Sequence, residues 1–272
     1  MGGGVKKLAL FATISQLALI AGTGANAADL PRKAPAMLAP VAPAYSWTGC
    51  YAGVHVGYGW ARSDVSESNV SVGPGGSGSV TSTLDSDGAV YGGQLGCNYQ
   101  FDTKWVVGIQ GDFAGTSLRG DVADPFNPFL GGITGTLSMK TQWLASVTGR
   151  VGVTAWDNRA LIYAKGGVAW VQNKWDTTAS GYCVFYAIYN GCAPTLRDNR
   201  TGWTAGAGGE FLISPSWPNW TAFVEYDYYR FDSGADAFVV GVSNPIAGNA
   251  ITPGDQSIHV VKLGMNYKLF RP

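Results

Sequence analysis

The segment from residue 88 to residue 115 constrains the fold most strongly, because it contains two runs of alternating side chains separated by a very short connection. In the first run, Leu95 and Tyr99 alternate with polar or small residues such as Gln94, and the second run repeats this pattern around Ile109. A period of two is typical of a β-strand with unlike faces. Residues 102–103 are too few for anything but a hairpin turn. The segment therefore predicts a hairpin with one apolar, aromatic face and one polar face.

The glycines on the polar face indicate where that face lies. Glycine weakens strands and usually marks crowding or a close backbone approach, and the interior of a small closed barrel is such a place. The whole chain has 272 residues with 39 glycines, and only 13% of its residues are charged. A typical soluble surface carries more charge than this. Composition therefore favours a barrel whose outer face does not meet water.

The same alternation recurs along the chain and predicts eight strands, at 49–60, 88–101, 105–115, 139–153, 160–171, 201–213, 220–231 and 257–270. Four long segments, which we interpret as loops, alternate with short turns: 61–87, 116–138, 172–200 and 232–256. Outer-membrane barrels have long extracellular loops and short periplasmic turns. The sequence therefore predicts an all-β fold, an eight-stranded antiparallel up-and-down transmembrane β-barrel of this kind.

The first 48 residues have the features of an exported chain. Lys6 and Lys7 precede an apolar run at 8–20, and Ala25-Asn26-Ala27 follows it. This order predicts a signal peptide at 1–27 that is cleaved after Ala27. The apolar run is shorter than the about 20 residues of a membrane-spanning helix. Four prolines in the next segment predict an extended periplasmic linker at 28–48, ahead of a barrel domain at 49–270.

Alternation alone does not decide which face points outward, since soluble lipocalin-like barrels keep their apolar face inside. Here aromatic residues collect near both ends of the strands, with Trp105 and Trp220 beside short turns and Trp170 and Trp203 beside long segments. Two such rings are typical of the interfacial girdles of membrane barrels. We therefore expect the apolar face to meet lipid and the polar face to line the lumen.

Charges of both signs fall on the predicted lumen face. The expected polar network consists of Asp112, Arg150, Lys165, Glu210, Glu225, Asp227 and Lys262. Burial would require these groups to pair, because an isolated buried charge costs several kcal/mol. The alternative is that they are ordinary solvated side chains.

Four cysteines in an exported chain permit two disulfides, with three connectivities. Cys183 and Cys192 are close in sequence around an aromatic segment, so we pair them, which leaves Cys50 and Cys97 for each other. The latter two lie on strands expected to be neighbours and on the same face, as a cross-strand disulfide requires. The alternative is four buried or lipid-facing thiols.

Several classes of function lack a sequence basis. The net charge is zero and no basic stripe is present, so binding of nucleic acid is not expected. His55 and His259 fall on opposite faces by parity, and Ser257 is poorly placed in a strand to act with His259. The glycine-rich segment 73–78 lacks the lysine of a phosphate-binding loop. We therefore expect neither an enzyme nor a metal or cofactor site.

Four sequence stretches are similar to a known family. They are Ala28-Asp29-Leu30-Pro31, Ser46-Trp47-Thr48-Gly49-Cys50-Tyr51, Gly92-Gly93-Gln94-Leu95-Gly96-Cys97-Asn98-Tyr99-Gln100 and Val261-Lys262-Leu263-Gly264-Met265-Asn266-Tyr267. The chain resembles the small outer-membrane β-barrel surface proteins of alphaproteobacteria, the rhizobial and brucella-type barrels. The resemblance implies an OmpA-like, porin-family barrel inserted by the barrel-assembly machinery, which reads a C-terminal aromatic residue. Here Phe270 is followed by Arg271 and Pro272, and it is out of phase with Tyr267.

These observations favour a structural and surface-interaction protein of the outer membrane. It would be surrounded by outer-membrane lipid and would contact host or envelope partners through its loops. A passive porin is the alternative that the family label implies, although eight strands enclose room only for side chains. Binding of haem or another small ligand by the aromatic segment between Cys183 and Cys192 is a further alternative.

Overall fold

The computed structural model describes residues 45–71, 77–123, 135–179, 196–233, 238–240 and 249–269. The strands in these ranges are β1 (Gly49–Ser71), β2 (Ser77–Phe101), β3 (Trp105–Thr116), β4 (Arg119–Ala123), β5 (Gly135–Ala155), β6 (Ala160–Ala179), β7 (Leu196–Leu212), β8 (Trp220–Phe231), β9 (Phe238–Val240) and β10 (Asn249–Lys268). Within these ranges, the structure contains no helix that is long and apolar enough to cross a membrane. The predicted signal peptide, the linker up to residue 44, and Phe270 lie outside the described residues.

The strands form one closed antiparallel ring in the order β1, β2, β3, β5, β6, β7, β8 and β10, and β10 pairs with β1 to close it. β4 extends the position of β3, since it pairs with β2 and β5 on either side. β9 pairs with β10 beyond the end of β8. The ring therefore has eight strand positions, and the predicted fold class is confirmed.

The hairpin of β2 and β3 has the predicted register and turn. Leu95 lies opposite Gly111, and Phe101 lies opposite Trp105. Asp102 has a φ of 57°, and its carboxylate accepts a hydrogen bond from the backbone N–H of Thr103 at 2.8 Å. Aspartate tolerates this left-handed conformation better than most residues do. The sequence thus favours a tight turn at this point.

The predicted limits of the long loops were wrong, because most of 61–87 and parts of 116–138, 172–200 and 232–256 are strand. β2 alone has 25 residues, whereas about 9–11 suffice to cross a bilayer. The serines, threonines and glycines of these segments are typical of loops, but among the side chains that the structure describes there, every second one packs inward, as Val65 and Leu84 do. One inner cluster contains Val65, Leu84, Leu137, Met139 and Trp175. We call the strand extensions around this cluster the collar, defined as residues 61–66, 81–87, 117–122, 136–142, 172–176, 197–200, 230–231 and 252–258.

The barrel has its apolar face outside. Val54 is 68% exposed and Leu95 is 64% exposed, whereas Gln94 is 4% exposed. Contact of such an apolar surface with hydrocarbon is favourable, whereas its exposure to water costs free energy. This is the orientation that the aromatic residues predicted.

Two aromatic girdles bound the apolar surface. At the end with short turns, Trp220 and Tyr267 contact each other edge to face, with ring centroids 5.0 Å apart. At the other end, Trp60 stacks on His259 with centroids 5.5 Å apart, and Trp203 contacts Tyr228. Aromatic rings prefer the interface between lipid and water. The span between the girdles is therefore the membrane-crossing part, and the collar lies beyond it.

Replacing Trp175 should loosen the collar and leave the membrane-crossing barrel folded. Trp175 is 1% exposed, and Trp175→Ala would leave a cavity that costs about 3–5 kcal/mol. We expect trypsin to cleave the refolded variant faster in the collar, with peptides mapped by mass spectrometry. Trp217→Ala, at a 63% exposed position, is the control. Equal cleavage rates in the two variants would contradict a packed collar.

Candidate functional site in the barrel lumen

The most distinctive group of side chains lies inside the barrel. Alternation along β3, β5, β6, β7, β8 and β10 directs one or two charged side chains per strand inward. The structure buries all seven members of the predicted network, Asp112, Arg150, Lys165, Glu210, Glu225, Asp227 and Lys262. The alternative of solvated side chains does not fit this burial.

Lys262 is the centre of the network. Its Nζ atom lies 3.0 Å from Oδ2 of Asp112, 3.1 Å from Oε1 of Glu225 and 2.9 Å from Oδ2 of Asp227. Lys165 also contacts the last two carboxylates, at 2.6 Å from Glu225 and 3.0 Å from Asp227. Each carboxylate is thus paired with at least one ammonium group, as burial requires.

Arg150 and Glu210 form a second ion pair nearer the short turns, with Nη2 and Oε2 3.0 Å apart. The Arg150 guanidinium lies over the ring of Tyr163, 3.9 Å from its centroid. Glu210 also accepts hydrogen bonds from Thr221 at 2.5 Å and from Asn266 at 2.8 Å. Breaking the hydrogen bonds around a buried ion pair is costly, and these contacts provide partners for the Glu210 carboxylate.

Neutral side chains connect the charged groups, and the sequence-based network omitted them. The Tyr51 hydroxyl donates to Gln110 at 2.8 Å, Gln110 donates to Gln94 at 3.1 Å, and Gln94 donates to Asn266 at 2.8 Å. His55 is also part of the network, with Nε2 2.9 Å from Oδ2 of Asp112. All of these residues lie on the polar face by parity, so parity was the signal that could have identified them.

Apolar layers close the lumen on both sides of this network. On the side of the short turns, Trp47 is 3% exposed and packs with Val106, Leu161 and Tyr163. Its backbone N–H donates to Gln100 at 2.8 Å, and its indole N–H donates to the backbone carbonyl of Asn158 at 3.0 Å. Towards the collar, a larger cluster contains Ala61, Val90, Ala114, Leu118, Leu144, Ala169, Val171, Tyr229, Phe231, Ile258 and Val260.

Glycines make this filling sterically feasible. A Cβ atom at Gly206 would overlap the carboxylate of Asp227, and one at Gly208 would lie 2.7 Å from the Tyr163 hydroxyl. These positions accept no larger residue without displacing the network. The crowding that the glycine-rich face indicated is thus present inside the barrel.

The remaining predicted site residues fall in different places. The structure joins Cys50 and Cys97 in a disulfide between directly opposed positions of β1 and β2, whereas Cys183 and Cys192 lie outside the described residues. Throughout the described ranges, His, Cys, Asp and Glu side chains nowhere form a group of three that could hold a metal ion. His259 lies on the outer surface against Trp60, on the opposite face from His55.

Comparison with known families agrees with this architecture. A model of the outer membrane protein beta-barrel domain matches residues 17–268. The chain belongs to this outer-membrane β-barrel family. The apolar face therefore meets the lipid of the outer membrane, the short turns lie in the periplasm, and the collar is extracellular.

The names of curated relatives also place those proteins in the outer membrane. The chain is 31% identical over 266 residues to the 31 kDa outer-membrane immunogenic protein of Brucella melitensis. The matched region covers 94% of this chain and 98% of that protein. It is 30% identical over 211 residues to the 25 kDa outer-membrane immunogenic protein of Brucella canis, covering 77% and 78% of the two chains. The outer-membrane protein OprG of Pseudomonas aeruginosa superposes with a TM-score of 0.44 at 13% identity, over 83% of this chain and 99% of that one.

Removing the central ammonium group should destabilise this outer-membrane barrel strongly. Lys262→Met leaves three buried carboxylates with one ammonium group among them, and breaking a buried pair in this way costs about 3–5 kcal/mol. The loss is measured by urea unfolding from lipid vesicles, followed by tryptophan fluorescence. Arg62→Met removes a cation of an exposed pair and should leave stability unchanged. A Lys262→Met barrel as stable as the parent would contradict the central role of Lys262.

Proposed function

We propose that the protein is a non-conducting, non-catalytic outer-membrane barrel whose role is structural and whose extracellular collar and connections contact partners at the cell surface. The observation that carries this proposal is the filled lumen, in which the buried ionic network lies between two apolar clusters. The proposed role depends on a rigid barrel that holds a surface in place. Such a barrel does not need a continuous path for solutes.

The filled lumen supports a closed barrel over a porin. A solute entering from the periplasm would have to displace Trp47, then separate Lys262 and Lys165 from their carboxylates, and then pass the cluster around Phe231. Separating a buried ion pair is costly, because each charge is then left without its partner in surroundings of low dielectric constant. Eight strands also enclose room for side chains alone.

The polar outer surface of the collar supports a role in surface contacts. Arg62 and Asp85 form an exposed ion pair at 2.9 Å, and the Thr83 hydroxyl donates to Asp64 at 3.1 Å across the same two strands. These strands thus continue outward as a paired, water-facing wall. The Brucella relatives are named immunogenic proteins, and we extend the surface exposure implied by that name to this chain.

The partners that we propose follow from this role. They are the surrounding outer-membrane lipid, the barrel-assembly machinery during insertion, and host or envelope molecules that meet the extracellular side. We propose no enzymatic activity, because His55 is engaged with Asp112 inside the barrel and His259 packs against aromatic rings outside. The formal net charge of zero supports the exclusion of nucleic acid from the proposed partners.

Electrical recording from refolded mature protein in planar bilayers tests the closed barrel. We expect no stepwise conductance from preparations in which heat-modifiable gel migration shows a folded barrel. The opposite result would be steady channels whose conductance changes with Lys262→Gln in the lumen and does not change with Arg62→Gln on the outer surface. That result would show that the protein forms a pore and would contradict the proposed closed barrel.

A further inference from the structure

Four basic side chains form a continuous row on the outer surface of the collar. Arg119 of β4 lies directly opposite Lys140 of β5, Lys140 lies opposite Lys174 of β6, and Lys174 lies opposite Arg197 of β7. All four are partly or largely exposed, whereas the residues beside them, such as Met139, are buried inside. We call these four residues the cationic row.

Like charges in directly opposed cross-strand positions destabilise a sheet. Within the described residues, Lys174 is the one member of the row with an ion-pair partner, Asp176 at 2.9 Å. On the other side of the barrel, Arg62 pairs with Asp85 and Arg230 pairs with Asp255. The collar therefore has a charge-balanced side and a side with excess positive charge, and an external anion would relieve the repulsion there.

The nearby carboxylates lie beside the row or beyond it. Asp87 is opposite Arg119 in register and accepts a hydrogen bond from the Tyr58 hydroxyl. Asp121 and Asp176 lie two residues further from the aromatic girdle than Arg119 and Lys174 do. The edge of the row that faces the membrane is thus the positive edge.

The cationic row lies just above the membrane interface. Trp143, Trp170 and Trp203 occupy the extracellular girdle on the same three strands, β5, β6 and β7. Lys174 is four residues beyond Trp170 on the same face, which is roughly 13 Å along the strand. This is the level at which lipid headgroups meet the protein surface.

The lipid-facing surface below the same girdle segment is unusually smooth. Gly149 lies opposite Gly166, and Gly166 lies opposite Ala205, so that small residues follow one another across β5, β6 and β7. A Cβ atom at Gly149 would meet nothing within 4 Å. Other strands carry larger residues at this depth, such as Ile109 and Leu263, both exposed. Open space of this kind accommodates hydrocarbon chains.

We propose that this side of the barrel binds a phosphorylated lipid of the outer leaflet. Its headgroup phosphates contact the cationic row, and its acyl chains lie on the small residues below the girdle. Guanidinium groups bind phosphate oxygens through paired hydrogen bonds, and ammonium groups add point charges. A lipid fits better than a soluble phosphate, because the positive row and the smooth apolar surface are continuous on the same strands.

Lipid retention by the detergent-extracted mature chain tests the proposal. The probe is a bisphosphorylated, acylated glycolipid of the lipid A type, detected by native mass spectrometry. Replacing all four basic residues by glutamine should weaken its retention at least tenfold, since each lost charge removes a phosphate contact. The pair Lys140→Gln and Lys174→Gln, at partly exposed positions, is the smaller variant if the fourfold one does not fold, and it should weaken retention severalfold.

Three controls test the position of the positive charge, the phosphates of the lipid and the open surface for its acyl chains. Arg62→Gln with Arg230→Gln removes two cations from the balanced side of the collar and should leave retention within twofold of the parent. The same glycolipid without its phosphates should bind as weakly to the parent as the phosphorylated form binds to the fourfold variant. Gly149→Leu should weaken retention of the acylated lipid, because the new side chain occupies the space for the chains.

Three results would overturn the proposal. One is a folded fourfold or twofold variant that retains the phosphorylated lipid as the parent does. Another is an equal loss in the control with both arginines of the balanced side replaced. The third is inorganic pyrophosphate that competes at the lipid's own concentration, since this would make a soluble anion the occupant. Each variant is first verified as folded by heat-modifiable migration, and none of these results depends on whether the barrel conducts.

Discussion

The contact of Lys262 with three carboxylates is the interaction on which the rest of the barrel depends. It ties β10 to β3 across the lumen and to its neighbouring strand β8, and Lys165 adds β6 to the same cluster. Charges at such depth are stable only while every partner is in place. The network therefore favours one strand register over its alternatives, since a shift by one residue would move these groups to the lipid face.

The outer surface follows from the same alternation. Once the polar side chains fill the lumen, Val54, Leu95 and their equivalents must face outward, where only hydrocarbon makes their exposure favourable. The aromatic girdles then mark the limits of that hydrocarbon. Beyond the extracellular girdle the strands keep their pairing but exchange apolar for polar outer residues, and the inner cluster around Trp175 supports them there. The membrane barrel and the water-facing collar are one continuous sheet with two different solvents outside it.

Particular residues show how far sequence reasoning extends. The hairpin around Asp102, the eight strand positions and the inward direction of Lys262 all follow from a period of two. The limits of the strands did not follow, because serines and glycines near Val65 and Leu84 have the composition of loops while still alternating inward. His55 was assigned to the correct face, but its contact with Asp112 was not predicted, since parity gives the side of a strand and not the partner across the lumen.

The sequence by itself determined the all-β character of the chain and which side chains share a face of each strand, because alternation is a local property of the backbone. The tertiary structure alone decided which charges meet. Lys262 and Asp112 are 150 residues apart, and their contact depends on the register and closure of the whole ring. The alignment of Arg119, Lys140, Lys174 and Arg197 was decided in the same way, because four separate strands must pair in register before their side chains form a row.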